Sequence, residues 1–287
     1  MKIAIKRLMG LGDVIVSEPL ISHLKKLDPE CKISYITSDS RSCNLVTHYM
    51  DGVDNSYAIK THSDGESIKP YIPVVDQTID LDQVIHMPGK TYFQSYVEHA
   101  GIDYATVERK HPRLTYCLPR EIKKDYVVLV SEASGWRGKE WPLHYYAKLA
   151  KMLVGDGITV VEPGAHRFVF QSEYQNVEAD FDKALNWIKH ARMFIGGDCG
   201  LMHVALAFNV PCVICVGSVC PKITTEAYKL GLVTEASKNL FCTGCVHSHF
   251  LSLSQPECIN REVFSCMTKL TVDEMYRAVW SRLEKIQ

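Results

Sequence analysis

Short apolar runs alternate along this chain with longer stretches whose apolar residues recur every three or four positions, the mark of strands followed by amphipathic helices. KIAIK from Lys2 reads as a strand, and Val14–Leu27 as a helix with Val14, Leu20, Ile21, Leu24 and Leu27 near one face. KISYIT from Lys32 is a second strand, Arg41–Met50 a helix and Val53–Ile59 a third strand. A polar stretch over 60–72, carrying Gly65 and Pro70, reads as a loop; Val74–Leu81 is a strand and Thr91–Ala100 a helix. Strands that alternate with helices predict a parallel sheet with its connections packed against it.

The charged, proline-bearing stretch 108–125 breaks the pattern and reads as a linker. A second alternating run follows. YVVLVS from Tyr126 is a strand, and Pro142–Val154 a helix whose proline sits early, where a missing N–H costs little. Ile158–Val161 is a strand, Asp182–Ala191 a helix and Met193–Ile195 a strand. A helix starting near Gly200, then Pro211 and another apolar strand, complete the run. Thr271–Lys285 reads as a terminal helix, opened by a capping box of Thr271 and Glu274. The expected fold class is α/β with two Rossmann-like domains: residues 1–120, residues 121–270, and a C-terminal helix over 271–287.

Composition narrows the class. Hydrophobic residues are 46% of the 287, so a substantial core is available and global disorder is excluded. A formal net charge of -1 gives no general pull toward nucleic acid or an anionic membrane. No apolar run approaches the roughly 20 residues that span a bilayer, and MKIAIKRLMGLGDV lacks the apolar centre of a secretory signal. The expectation is a cytoplasmic protein, with a peripheral contact at the inner membrane left open. The 11 cysteines then read as buried small apolar residues together with one metal cluster, not as disulfides.

Four segments carry candidate chemistry. FIGGDCGLMHVALAFNVPCVICVG, Phe194–Gly217, crowds Gly197, Asp198, Cys199, Gly200, Met202 and His203 where a strand hands over to a helix. Open α/β sheets bind ligands at such handovers, and a helix start offers N–H groups that suit a phosphate. His203 lies on a largely apolar helix, where a buried structural histidine is the plainer reading. GLGDV, with Gly10, Gly12 and Asp13, follows the first strand. It reads as a dinucleotide turn, which Ile15 weakens and Asp39 keeps alive, as an N-cap at Asp13, or as a carboxylate poised to take a proton. SEASGWRGKEWP, Ser131–Pro142, offers N–H groups near Ser134 and Gly135 and a cation at Lys139 for a diphosphate, or simply a solvated loop; Trp141 reads as a packing anchor. Cys242, Cys245, Cys258 and Cys266 open with a C-x2-C pair and suit a closed zinc or iron site, or stand as free thiols; His247 and His249 compete as ligands. Cys212 and Cys215, three apart in a strand, point to opposite faces and make no metal pair.

In order and spacing, GLGDVIVSEPLISHLKK, GKEWPLHYYAKLAKML, GGDCGLMHVALAFNVPCVICVGS and the tail CTGC…CMTKLTVDEM resemble glycosyltransferase family 9, the ADP-heptose:lipopolysaccharide heptosyltransferases. The resemblance implies a GT-B architecture, two Rossmann-like domains with parallel sheets facing a central cleft, the donor held mainly by the second. It implies inversion at the sugar carbon with no cofactor required for catalysis. Asp13 matches the family's general base, with Gly10 and Gly12 beside it on the acceptor side. Lys139 matches the residue that holds the donor diphosphate, and Asp198, Gly200, Met202 and His203 match its D-x-G-x-M-H donor signature. The terminal helix is expected to cross back to the first domain, as in related enzymes.

Two departures stand out. Cys199 replaces the usual threonine, and the family's ribose-side glutamate has no clear counterpart, since Glu162 lies early before PGAHRF. The implied partners are a nucleoside-diphosphate sugar and an acceptor hydroxyl, on a lipopolysaccharide core, another glycan, a protein or a modified nucleic-acid base. The rival functions are a nicotinamide-dependent oxidoreductase and a non-catalytic sugar-nucleotide-binding protein.

Overall fold

The computed structural model describes the chain except for residues 9, 60–73, 88, 116–117, 134–136, 165–168, 172–173, 177–179, 226–227, 229–230, 249–257 and 287. The chain divides into two units, residues 1–117 and residues 118–287.

The first unit is built on β1 (Lys2–Lys6), α1 (Leu11–Val16), α2 (Glu18–Leu27), β2 (Lys32–Thr37), α3 (Ser40–Tyr49), β3 (Asn55–Ala58), β4 (Gln77–Asp80) and α4 (Tyr92–His99). Its four strands run parallel in the order β3-β2-β1-β4. Ile3, Ala4 and Ile5 of β1 and Ile33 and Tyr35 of β2 have no exposure, as strands covered on both faces require. Asp39 caps α3 through the Ser42 N–H and Thr91 caps α4 through the Gln94 N–H.

One expectation changes in this unit. The single helix over 14–27 is two helices that meet at Ser17. Pro19, in the first turn of α2, has no N–H to continue the ladder, and the Ser17 hydroxyl bonds instead to the Val14 carbonyl and the Tyr35 hydroxyl. The boundary between the units, at 117/118, falls within the expected linker, whose start is packed: Arg109 holds the buried Glu18 carboxylate with two bonds of 2.6 Å, and the Arg113 N–H adds a third.

The second unit runs β5 (Tyr126–Leu129), α5 (Leu143–Gly155), β6 (Thr159–Glu162), β7 (Tyr174–Gln175), α6 (Phe181–Lys189), β8 (Met193–Gly197), α7 (Gly200–Ala207), β9 (Cys212–Cys215), α8 (Pro221–Thr225), β10 (Val233–Ala236), α9 (Cys245–Ser248), α10 (Ser265–Thr268) and α11 (Val272–Leu283). All six strands are parallel, ordered β7-β6-β5-β8-β9-β10. Numbered within the unit this is 3-2-1-4-5-6, the order of a dinucleotide-binding sheet, and its direction reverses between β5 and β8.

The core lies between this sheet and α5 and α11, where Leu149, Leu153, Val213, Met275, Val279 and Leu283 pack together. Trp141 is the anchor expected of it: 1% exposed, edge-on to Tyr146, its indole N–H on the Leu270 carbonyl at 2.8 Å. The terminal helix belongs to this unit. Its apolar face joins the same core, and both halves of the Thr271–Glu274 capping box form.

Candidate functional site

In the second unit the chain leaves β5 and β8 at the point where the strand order reverses, so the segments after them converge. The first delivers Lys139, in a 3₁₀ turn over Arg137–Lys139, and the second delivers Asp198. Their side chains form an ion pair, Lys139 Nζ to Asp198 Oδ2 at 2.7 Å, with 21% and 13% of each side chain exposed. His203, one turn into α7, places Nε2 at 3.6 Å from Asp198 Oδ1 and bonds the Tyr228 hydroxyl through Nδ1 at 2.8 Å. Burial alone would raise the Asp198 carboxyl. The His203 contact and the Lys139 charge outweigh it and hold the group well below the usual carboxylate range. The result is a fixed line, Tyr228–His203–Asp198–Lys139, that ends on a cation. Lys139 and Asp198 border one pocket with Gly217, Val219, Pro221 and Thr224.

The other donor-side residues sort by role. Gly197 closes β8 against the segment that follows β5: an added Cβ would lie 3.0 Å from the Lys139 carbonyl. Met202 is fully buried and packs. Cys199 precedes Gly200 as N-cap of α7 but makes no side-chain cap, and desolvation pushes its thiol up to about 12. It is a neutral filler where the family's threonine would offer a hydroxyl. Ser134 and Gly135 lie outside the described residues. Glu162 is 2% exposed and takes hydrogen bonds from the Val169 N–H and the Gln175 amide, so it braces the connection between β6 and β7.

In the first unit Asp13 is the third residue of α1, whose N-cap is Gly10; Asp13 is therefore not the cap. Its Oδ1 takes the Tyr96 hydroxyl at 2.9 Å and Arg7 Nη2 at 3.0 Å. Arg7, at the end of β1, also donates to the Leu81 carbonyl at 2.9 Å and reaches Asp82 Oδ1 at 3.4 Å, both just beyond β4. The order β2-β1-β4 makes the ends of β1 and β4 the reversal point of this sheet as well. Asp39, the residue a nicotinamide enzyme would turn to a ribose, is instead bound up capping α3.

Cys242, Cys245, Cys258 and Cys266 line one recess with Gly138, Ser218 and Phe264. The Phe264 N–H donates to Cys258 Sγ at 3.2 Å and the Asn260 amide to Cys242 Sγ at 3.5 Å. Burial, with the neighbouring thiols, raises Cys245 and pushes Cys266 up to about 11. Among the described residues no three metal-ligating side chains already stand in an ion-binding arrangement. Cys212 and Cys215 take no part: Cys212 bonds the Val210 carbonyl, and Cys215 the Gly196 carbonyl.

A family model described as glycosyltransferase family 9 (heptosyltransferase) matches residues 66–248, more than half of the chain. The chain belongs to glycosyltransferase family 9. It is 34% identical over 101 residues to lipopolysaccharide heptosyltransferase 2 of Escherichia coli, covering 30% of this chain and 29% of that one. It is 27% identical over 112 residues to lipooligosaccharide heptosyltransferase 2 of Haemophilus ducreyi, covering 33% and 32%. These matches span about a third of the relatives' length or less.

The fold extends the likeness across the chain. The E. coli ADP-heptose lipopolysaccharide heptosyltransferase II aligns with a TM-score of 0.66 at 16% identity, covering 99% of both chains. The iron-containing dodecameric glycosyltransferase TibC of enterotoxigenic E. coli aligns at 0.75 and 16%, covering 100% of this chain and 77% of that one. A family 9 glycosyltransferase of Veillonella parvula aligns at 0.69 and 15%. The α/β class with Rossmann-like parallel sheets, the GT-B class of these heptosyltransferases, is thereby shown. Among the described residues no helix is long and apolar enough to cross a membrane.

The fold thus brings together Lys139, Asp198 and His203, and separately the four cysteines. It adds residues that sequence reasoning missed. Arg7 and Asp82 sit where the reversal rule points once strand order is known. Tyr96 and Tyr228 carry no local signal, because only folding brings them to Asp13 and His203.

Proposed function

We propose that this family 9 member is an inverting glycosyltransferase that moves a sugar, heptose first among candidates, from a nucleoside diphosphate to an acceptor hydroxyl. Asp13 takes the hydroxyl proton as that oxygen attacks the anomeric carbon. The bond from that carbon to the diphosphate breaks, and its electron pair leaves with the phosphate. Lys139 neutralises the charge that grows there, assisted by N–H groups at the start of α7. The observation that carries this reading is the Lys139–Asp198 pair at the strand-order reversal, where an α/β sheet binds nucleotides. The names of the relatives support ADP-heptose as donor and lipopolysaccharide as acceptor. No cofactor is assigned to the transfer itself.

The cysteine recess is assigned to a structural zinc or iron ion, held by Cys242, Cys245, Cys258 and Cys266. Four sulfurs lining one recess, two of them receiving N–H groups, fit such an ion, and an iron-containing relative shares the fold. The ion would tie the segment carrying Cys242 and Cys245 to the one carrying Cys258 and Cys266.

The test pairs binding with turnover. A thermal-shift comparison of ADP, UDP, GDP and CDP identifies the base, since a selective ligand raises the melting temperature. With that donor, Asp13→Asn is expected to lower turnover by at least about 10²-fold while donor affinity holds. Full turnover in the variant would remove Asp13 from the mechanism.

A further inference from the structure

We infer that Tyr96 is a positioning residue for Asp13: with Arg7 it fixes Oδ1 and leaves Oδ2 as the atom that receives the acceptor proton. This rests on the reading of Asp13 as the base. Among the described residues, both hydrogen-bonding contacts of the carboxylate, from the Tyr96 hydroxyl and from Arg7 Nη2, fall on Oδ1. An oxygen that already takes two donors is a poor proton acceptor, so the lone pairs of Oδ2 are the available ones. Gly10 keeps the approach to Oδ2 clear, since a Cβ on it would lie 3.1 Å from that oxygen.

The frame behind Oδ1 is rigid. Tyr96 has no exposure, and its ring lies under the Arg7 guanidinium at 5.4 Å and beside His86 at 5.9 Å. Burial and the adjacent Asp13 charge raise its phenol well above the ordinary value, so it stays protonated and donates. Arg7 is pinned in turn by the Leu81 carbonyl and Asp82. Asp13 itself is 27% exposed by side chain. One carboxylate oxygen is thus anchored in the protein while the group stays open to a reactant, which is how a base is held in attack geometry.

The experiment compares Tyr96→Phe, Gly10→Ala and Asp13→Asn, with ADP-heptose as donor and lipopolysaccharide from a heptose-deficient strain as acceptor. Tyr96→Phe removes one hydroxyl and no packing volume. Expected is a fall in kcat of about tenfold or more, with ADP affinity by calorimetry unchanged. The loss is expected in kcat, with KM for both substrates near the wild-type value, as a role in orienting the base requires. Gly10→Ala, which leaves the buried frame intact, should lower kcat by a similar factor with the fold retained by circular dichroism. Wild-type kcat in Tyr96→Phe, with Asp13→Asn inactive, would overturn the role of Tyr96 and leave the base standing. Wild-type kcat in Gly10→Ala would overturn the choice of Oδ2, including in the case where Tyr96→Phe fails to fold. Full activity in Asp13→Asn would remove the base and this inference together.

Discussion

Lys139 Nζ and Asp198 Oδ2 lie 2.7 Å apart at the ends of the two strand connections that flank the reversal of the second sheet. In the proposed reading the carboxylate aims the ammonium at the donor diphosphate. A lysine has four rotatable carbons of freedom, and a half-buried partner removes most of it before a ligand arrives. Lys139→Ala is therefore expected to weaken binding of the cognate nucleoside diphosphate by about tenfold or more, the range of a charge-assisted contact. Isothermal calorimetry reads this directly, and unchanged affinity would detach Lys139 from the donor.

The cysteine recess makes a prediction with a sign in pH. Cys245 and Cys266 are raised by burial, so in the absence of metal they are neutral thiols near pH 7. Binding a zinc or iron ion must displace their protons, and affinity falls as pH falls. Elemental analysis of freshly purified, reduced protein is expected to give one ion per chain, lost on acidification and in Cys242→Ser. Protein without metal at neutral pH would leave four free thiols.

Gly217 and Gly155 give opposite expectations for one methyl group. At Gly217 a Cβ would collide with the Gly138 carbonyl and lie 2.6 Å from the Met267 sulfur. Backbone must move, so Gly217→Ala should cost at least about 1–3 kcal/mol, or roughly 2–4 °C in Tm per kcal/mol. Because Gly138 adjoins Lys139, nucleotide affinity should fall with it. At Gly155, the last residue of α5, nothing lies within 4 Å, and Gly155→Ala should stabilise by a few tenths to about 1 kcal/mol. Differential scanning calorimetry of the two variants separates the effects; equal Tm values would contradict the crowding at Gly217.

Much of the fold was legible because its determinants are local. Apolar strands buried on both faces, helix caps such as Thr271 with Glu274, and the proline at 142 announce themselves within a few residues. The elements missed were those without a local signal. β7 is two residues long and β10 is half exposed, so each is held by its neighbour in the sheet, not by its own pattern. The break at Ser17 was hidden because the apolar spacing runs on through it while Pro19 withholds one N–H.

The sequence by itself determined the family's motifs, the two runs of alternating elements, and the residue types able to hold a phosphate, take a proton or bind a metal. Tertiary structure decided which of these meet. Strand order put Lys139 beside Asp198, and the packing of α4 brought the Tyr96 hydroxyl to Asp13. It also tied the start of the linker to the first unit through the Arg109–Glu18 pair. The reason is physical: periodicity and capping are set by neighbours in the chain, whereas ion pairs and hydrogen bonds between distant segments exist only once burial has fixed both partners in place.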